Sequence, residues 1–300
     1  MPWSEDDIHR ALVRRTRPRA LAAPLGHDAA TLRRAAGRTV VCVDQTIEGV
    51  HFERTAAPSL VGRKAAARAI SDLAATAAQP MAVLLAVCAP ARTPASRLRA
   101  WIHGVEREAR VHGAELVGGD LCAADGPAKL TVTAIGVSSS SRRPVGRERA
   151  HPHQLVVITG AVGGSRLGRH LRIRPRVDEG VRLARAGATA MMDVSDGLAW
   201  DLYRLARASG VQIEVDVEAI PVHADARRCA RTSGRAAVWH ALHDGEDHEL
   251  VATIAARALD RLPRTIVAIG SVRAGRGLVL RDGERVRAWS QSDGGFRHGA

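Results

Sequence analysis

Two aspartates, Asp193 and Asp196, stand three apart in "MMDVSDGLAWDL" (191–202), where an apolar strand turns into a helix. A buried carboxylate is costly unless it is paired, hydrogen-bonded or bound to a cation. A purely structural account covers half of the pair: Ser195 caps the following helix, Asp196 complements its dipole and Gly197 eases the turn. Asp193, closing the strand, is left over. The same oddity recurs along the chain: Asp28 in "PLGHDAATL", Asp44 ending "VVCVD", Asp72 inside "AISDLAA" and Asp120 after "LVGG". Each has a local alternative, namely a turn for Asp44, a backbone bond for Asp72 and a helix cap for Asp120. Together, with no basic partner in their sequence windows, they form an oxygen-only donor set without His or Cys. Such a set suits Mg²⁺, which keeps waters and bridges to phosphates. Glycines in "VGGD" and "TGAVGGS" would let backbone N–H groups approach phosphate oxygens, although neither is a Walker A loop or a Rossmann fingerprint.

The elements that must position these residues read as alternating strands and helices. "SEDDIHRALVRR" opens with a capping-box Ser4, and "TVVCVDQ" (39–45) is a valine-rich strand. Residues 58–80 read as a long alanine-rich helix closed by Pro80, followed by the strand "MAVLLAVCA" and a helix ending on Gly113. "AELVGGD" reads as a short strand into a glycine turn, and "KLTVTAIGVSSS" as a further strand. Periodicity is lost in the basic, proline-containing stretch 138–153, which sets a boundary between domains at 1–145 and 150–300. The second half carries the strands "QLVVITG", "VQIEVDV", "HELVATI", "TIVAIGSV" and "LVLRDG" around the opening motif. The alternation predicts an α/β fold.

Composition narrows the function. A chain of 300 residues with 46% hydrophobic content has enough apolar residues for two cores. The longest apolar run, "MAVLLAVCAPA", is too short to span a bilayer, and "MPWSEDDIHR" lacks the order of a signal peptide, so a cytoplasmic setting is expected. Cys42, Cys88, Cys122 and Cys229 lie far apart in sequence without metal spacing. The net charge of +13 invites nucleic acid, but only Lys64 and Lys129 among the 44 basic residues are lysines. The other 42 are arginines scattered along the chain, and 3% aromatic content leaves little for base stacking. Nucleic-acid or polyanion binding is the minor reading.

In order, "GHDAATL", "VDQTIEGVHF", "KAAARAISDLAATAAQP", "LVGGD", "TVTAIG", "VITGAVGGS", "RHLRIRPR", "MMDVSDGLAWDLYRLARASGV" and "HDGEDHELVATI" resemble the thiamine-monophosphate kinase family of the aminoimidazole-ribonucleotide-synthetase-like superfamily. A weaker echo, "GGFRH", lies near the C-terminus. The resemblance implies a two-domain synthetase-like α/β (α+β) fold whose N-terminal sheet pairs with its twin in a homodimer, with the active site between the domains. It implies direct, in-line transfer of the γ-phosphoryl of ATP to thiamine monophosphate, with several Mg²⁺ ions and no protein nucleophile. By the same resemblance Asp28, Asp44, Asp72, Asp120, Asp193 and Asp196 are metal ligands. Gly118, Gly119, Arg147 and Ser195 contact ATP, and His51, Glu246 and Phe296 line the thiamine phosphate pocket. For His51 the alternative is a satisfied core histidine, and for Glu246 and Asp247 a helix start after Gly245.

The chain departs from the family pattern at several places. His27 stands for an aspartate, Val43 and Cys42 for small polar residues, Leu121 for a threonine and Gly164 for the aspartate of a "GDS" element. An arginine that the family carries just beyond "GGD" is missing from "LCAADGP". A slow or altered kinase, or a non-catalytic nucleotide-binding paralogue, therefore stays open, as does another ATP-using member of the superfamily. Hydrogenase-maturation and selenophosphate enzymes of that superfamily usually carry a working cysteine at one terminus, and no cysteine lies near either end here.

Overall fold

A computed structural model of the protein describes residue 8 and residues 18–22, 29–138 and 144–294. Asp28, His27, Phe296 and most of the capping-box helix expected from Ser4 lie outside the described residues. The chain divides into two units, Met1–Leu73 with Ala78–Arg142, and Ala74–Ala77 with Arg143–Ala300.

The first unit is built on four strands, β1 (Arg38–Ile47), β2 (Gln79–Ala89), β3 (Glu115–Ala123) and β4 (Lys129–Ser138), in the order β1-β4-β2-β3. Only the β2–β3 pair is parallel. Leu130, Val132 and Ala134 alternate with half-buried threonines along β4, so one face of the sheet is sealed and the other is not. Helix α2 (Ala95–Val111) and all but the last two residues of helix α1 (Pro58–Ala75) belong to the same unit. They cross almost backbone to backbone: a Cβ on Gly62 would stand 1.9 Å from the Trp101 carbonyl oxygen, and one on Gly104 2.3 Å from that of Ser59. Further along α1, Ala65, Ala66, Ala69, Ile70 and Leu73 are buried.

Two local expectations are corrected here. The alanine-rich helix stops at Ala75, not at Pro80; Ala77 takes a left-handed turn (φ 57°) and Pro80 already lies in β2. "LVGGD" does not break into a glycine turn either. Strand β3 continues through Asp120 to Ala123, so Asp120 caps no helix. Gly119 is a glycine because a Cβ there would meet the Leu85 carbonyl oxygen at 1.9 Å.

The second unit holds seven strands: β5 (Gln154–Ile158), β6 (Ala190–Asp193), β7 (Gln212–Asp216), β8 (Leu250–Ala255), β9 (Val267–Arg273), β10 (Gly277–Asp282) and β11 (Arg285–Trp289). Their order is β11-β10-β7-β9-β5-β8-β6, antiparallel except for β7–β10. Its helices are α3 (Val177–Arg185), α4 (Leu198–Ser209), α5 (Ala224–Ser233) and α6 (Ala237–His243). The core joins Leu198, Leu202 and Leu205 of α4 to Ile213, Val215, Leu278 and Leu280 of the sheet. Trp200, Tyr203 and Trp289 close its rim, with Trp200 and Trp289 centroids 5.7 Å apart, edge to face. No helix among the described residues is long and apolar enough to cross a membrane.

Candidate active site

In the second unit the opening motif lies against "HDGEDHE". The N–H of Val194 donates to the carbonyl of Glu249 (2.8 Å), that of His248 to Val194 (2.8 Å) and that of Glu246 to Ser195 (2.7 Å). Two loops, 193–196 and 244–249, therefore run side by side beyond the β6–β8 pairing. The second is not the helix start considered for it. Gly245, Glu246 and His248 take φ of 69°, 56° and 53°, strained for the two side-chain-bearing residues. A Cβ on Gly245 would meet the Ser195 carbonyl oxygen at 2.7 Å, so the close passage itself requires glycine.

Asp193 closes β6 and is buried, and its Oδ2 is 3.0 Å from His248 Nδ1. Ser195 does not cap α4: the N-cap is Gly197, and no side chain bonds there. The polarity runs the other way. Asp201, in the first turn of α4, reaches back so that its Oδ2 accepts the N–H groups of Ser195 (2.9 Å) and Asp196 (3.0 Å). Arg204 donates to Asp196 and, at 3.2 Å, to Asp201 Oδ1. Its guanidinium also lies 5.1 Å from the Trp200 ring centroid. Asp201 went unselected in the sequence, although an acid in the first turn of an apolar helix, five residues after Asp196, was a signal for it.

Asp201 is fully buried. Burial first, and then the charge of Asp196, push its carboxyl up to about 8. Asp247, pushed up mainly by burial to about 6, shows the same effect more weakly. A raised carboxyl holds in the native state a proton that the unfolded chain has released, so stability is greatest below the unfolded value and falls as pH rises through the folded one. Thermal stability of the chelator-treated protein is therefore expected to fall between about pH 4 and pH 8. Calorimetry of Asp201→Asn should give a flatter profile over that window; an equal slope in both proteins would refute the assignment.

In the glycine run "TGAVGGS" the amides of Gly163 and Gly164 are taken up within the chain. The Gly163 N–H donates to both oxygens of Asp247 (2.9 and 3.0 Å), and the Gly164 N–H to Asp244 Oδ2 (2.9 Å). Arg169 adds a 2.7 Å bond to Asp247 Oδ1. Glu249 is held by Arg176 (2.9 and 2.5 Å) and by the Thr159 hydroxyl (2.5 Å). The carboxylates of Asp247 and Glu249 thus tie the turns together. Arg147, expected near nucleotide, is exposed, and its carbonyl accepts a 2.6 Å bond from the Ser209 hydroxyl.

In the first unit Asp44 is not without a basic partner. Arg68 of α1 grips it with two bonds, 2.9 and 3.1 Å, from 24 residues away. Asp72 follows Arg68 by four residues, so both lie on one face of α1. Asp44, Val132, Leu85 and Gly119 form one cross-strand row, which points to the side where Asp44 meets α1. Alternation then places Asp120, Thr131 and Gln45 on the opposite face, where Gln45 and Thr131 side chains bond at 3.2 Å. Asp44 and Asp120 thus stand on opposite faces of strands that are not neighbours in the sheet. Gly118 faces Leu84 on that second side. His51 is buried in the turn after β1; its Nδ1 accepts the Ile47 N–H (3.0 Å) and its carbonyl the Lys64 ammonium (2.5 Å).

The structure thus gathers Asp193, Ser195, Asp196 and Glu246 in one unit, and Asp44 and Asp72 on one side of the sheet in the other. Comparison with known proteins identifies the two domains. Residues 26–138 match the N-terminal domain of AIR synthase related proteins, and residues 127–283 match their C-terminal domain. The thiamine-monophosphate kinase of Mycobacterium tuberculosis is 36% identical over 295 residues, covering 92% of this chain and 87% of the relative. The solved thiamine-monophosphate kinase of Stenotrophomonas maltophilia superposes with TM-score 0.79 at 31% identity, covering 93% of this chain and 97% of that one. The structure of AaThiL complexed with AMPPCP and TMP gives TM-score 0.76 at 28% identity over 87% and 90% of the two chains. With both domains matched and a relative 36% identical over 92% of this chain, the chain belongs to the AIR synthase related family and, within it, to the thiamine-monophosphate kinases.

Proposed function

We propose that the chain transfers the γ-phosphoryl of ATP directly to thiamine monophosphate, yielding thiamine diphosphate, in a Mg²⁺-dependent reaction. The observation that carries this reading is the loop pair 193–196 and 244–249, which brings Asp193, Asp196 and Glu246 together on a backbone locked by hydrogen bonds. The donors fit the ion: they are carboxylate oxygens, which Mg²⁺ prefers, and a carboxylate has about four lone-pair sites, so an arginine contact leaves room for coordination. Asp28, Asp44, Asp72 and Asp120 complete the proposed ligand set. Bound Mg²⁺ would screen the repulsion between the two anionic phosphates.

The chain's own residues then position the reactants. His248 fixes the Asp193 carboxylate, and Asp201 with Arg204 fixes Asp196. Gly118, Gly119, Arg147 and Ser195 are proposed to face ATP, and His51, Glu246 and Phe296 the thiamine phosphate. No side chain is asked to act as a nucleophile, because phosphoryl transfer of this kind depends on placement and charge. The test is formation of thiamine diphosphate by the purified chain from ATP and thiamine monophosphate, with and without Mg²⁺. Turnover that needs the ion is expected; ATP binding with no product would overturn the reading in favour of a nucleotide-binding paralogue. Gly164 favours that second reading, since the family aspartate is replaced where the backbone leaves no space for it.

A homodimer through the first sheet is part of the proposal. Val41 and Val43 stand 60% and 63% exposed on β1, next to Gln45 on the face away from α1. Val43→Asp is expected to yield a monomer in sedimentation experiments, and a variant that sediments like wild type would count against this interface.

A further inference from the structure

Sequence spacing separates the four cysteines from any metal pattern, but the fold of the second unit does not. Helix α5 carries Cys229, α6 carries His240, and Asp244 is the residue at the C-cap of α6. The thiol sulfur, an imidazole nitrogen and a carboxylate oxygen of these three all lie within 4.8 Å of one another. We propose that Cys229, His240 and Asp244 form a Zn²⁺ site, distinct from the magnesium carboxylates.

Three features support it. The donor set is one thiolate, one imidazole and one carboxylate, a mixture that Zn²⁺ accepts and Mg²⁺, which avoids sulfur, does not. Three protein donors with a water in the fourth position is an ordinary zinc arrangement. Ligand atoms around tetrahedral zinc lie roughly 3.3–3.8 Å apart, so side-chain adjustments of about 1 Å close the site. The outer partners are also in place. His240 Nδ1 faces Asp244 (2.9 and 3.0 Å), while Nε2 is 2.7 Å from the Ser233 hydroxyl. With the metal on Nδ1, Nε2–H donates to Ser233, the second bond that orients a metal-bound histidine. Asp244 is steadied in turn by the Gly164 N–H at 2.9 Å. Since Asp244 begins the strained loop 244–249, an ion there would tie α5 and α6 to the start of that loop.

The test uses the full chain, stripped with chelator and held in excess Mg²⁺ so that the magnesium carboxylates are saturated. Co²⁺ is added as a spectroscopic substitute, and Zn²⁺ is titrated against a chromophoric competitor. The expected result is a near-ultraviolet thiolate-to-cobalt band, displaced by a single equivalent of Zn²⁺. In Cys229→Ser the band vanishes and zinc affinity falls at least ~100-fold, while Ser233→Ala costs about 10–100-fold. If Cys229→Ser does not fold, Asp244→Asn supplies the same comparison, with weakened zinc binding expected. The proposal is overturned if wild type shows no thiolate band. It is equally overturned if the band persists in Cys229→Ser, which would assign it to Cys42, Cys88 or Cys122.

Discussion

Asp193→Asn is expected to lose at least ~10²-fold in kcat/KM for thiamine diphosphate formation, about 2.7 kcal/mol of transition-state stabilisation. The substitution is nearly isosteric, and an amide in place of the carboxylate still has a partner in His248, 3.0 Å away. What it removes is a negative charge at the buried end of β6, where the proposal puts a cation. Stability and activity should therefore separate: a melting temperature close to wild type beside a collapse in rate. If the purified variant turns over at the wild-type rate, Asp193 is a structural residue and the metal assignment of the motif fails. A large fall in both would leave the charge argument unsupported, because misfolding alone would explain it.

Gly164→Asp, which restores the residue usual in the family, should not restore function; it should destabilise the second unit by about 3 kcal/mol or more. Gly164 lies at φ 72°, and a Cβ there would stand 2.3 Å from the Asp225 carbonyl carbon and 2.4 Å from the Ala226 nitrogen. These are backbone atoms at the start of α5, which cannot swing aside like a flexible side chain. The new carboxylate would also join Asp244 and Asp225, adding like charge. A fall in melting temperature on the order of 10 °C in a thermal scan is expected for a unit of this size. An unchanged or raised melting temperature, with faster turnover, would show that the α5 start gives way easily and that the departure at 164 is merely a lost ligand contact.

Much of the scaffold was legible where local chemistry and final environment agree. The alternation of β4 and the valines of β1 announce half-buried strands, and Gly113 ends α2 in a left-handed turn (φ 77°). Misreadings arose where tertiary pairing overrode a local rule. Pro80 resembles a helix stop but serves as a strand residue, and the glycines of "LVGGD" are needed for close strand approach, not for a turn. Strand β11 escaped notice because its outer positions are exposed arginines, without the apolar alternation of a packed strand. At the site, Asp44, Asp193 and Asp196 were legible in the sequence, while Asp201 and the basic partners were not. Arg68 finds Asp44 across 24 residues, Arg176 finds Glu249 across 73, and Arg169 finds Asp247 across 78. No short window contains both members of such a pair. The same pairs bear on the +13 charge, for several of the arginines that seemed scattered are committed to buried or half-buried carboxylates.

The crossing of α1 and α2 carries a consequence for how related sequences can vary. Gly62 and Gly104 are each hemmed in by the other helix's main chain, so neither can acquire even a methyl group while its counterpart stays put. Drift at one position demands a compensating retreat of the whole neighbouring rod. The two sites should thus change together or not at all, as a hinge pin and its socket do.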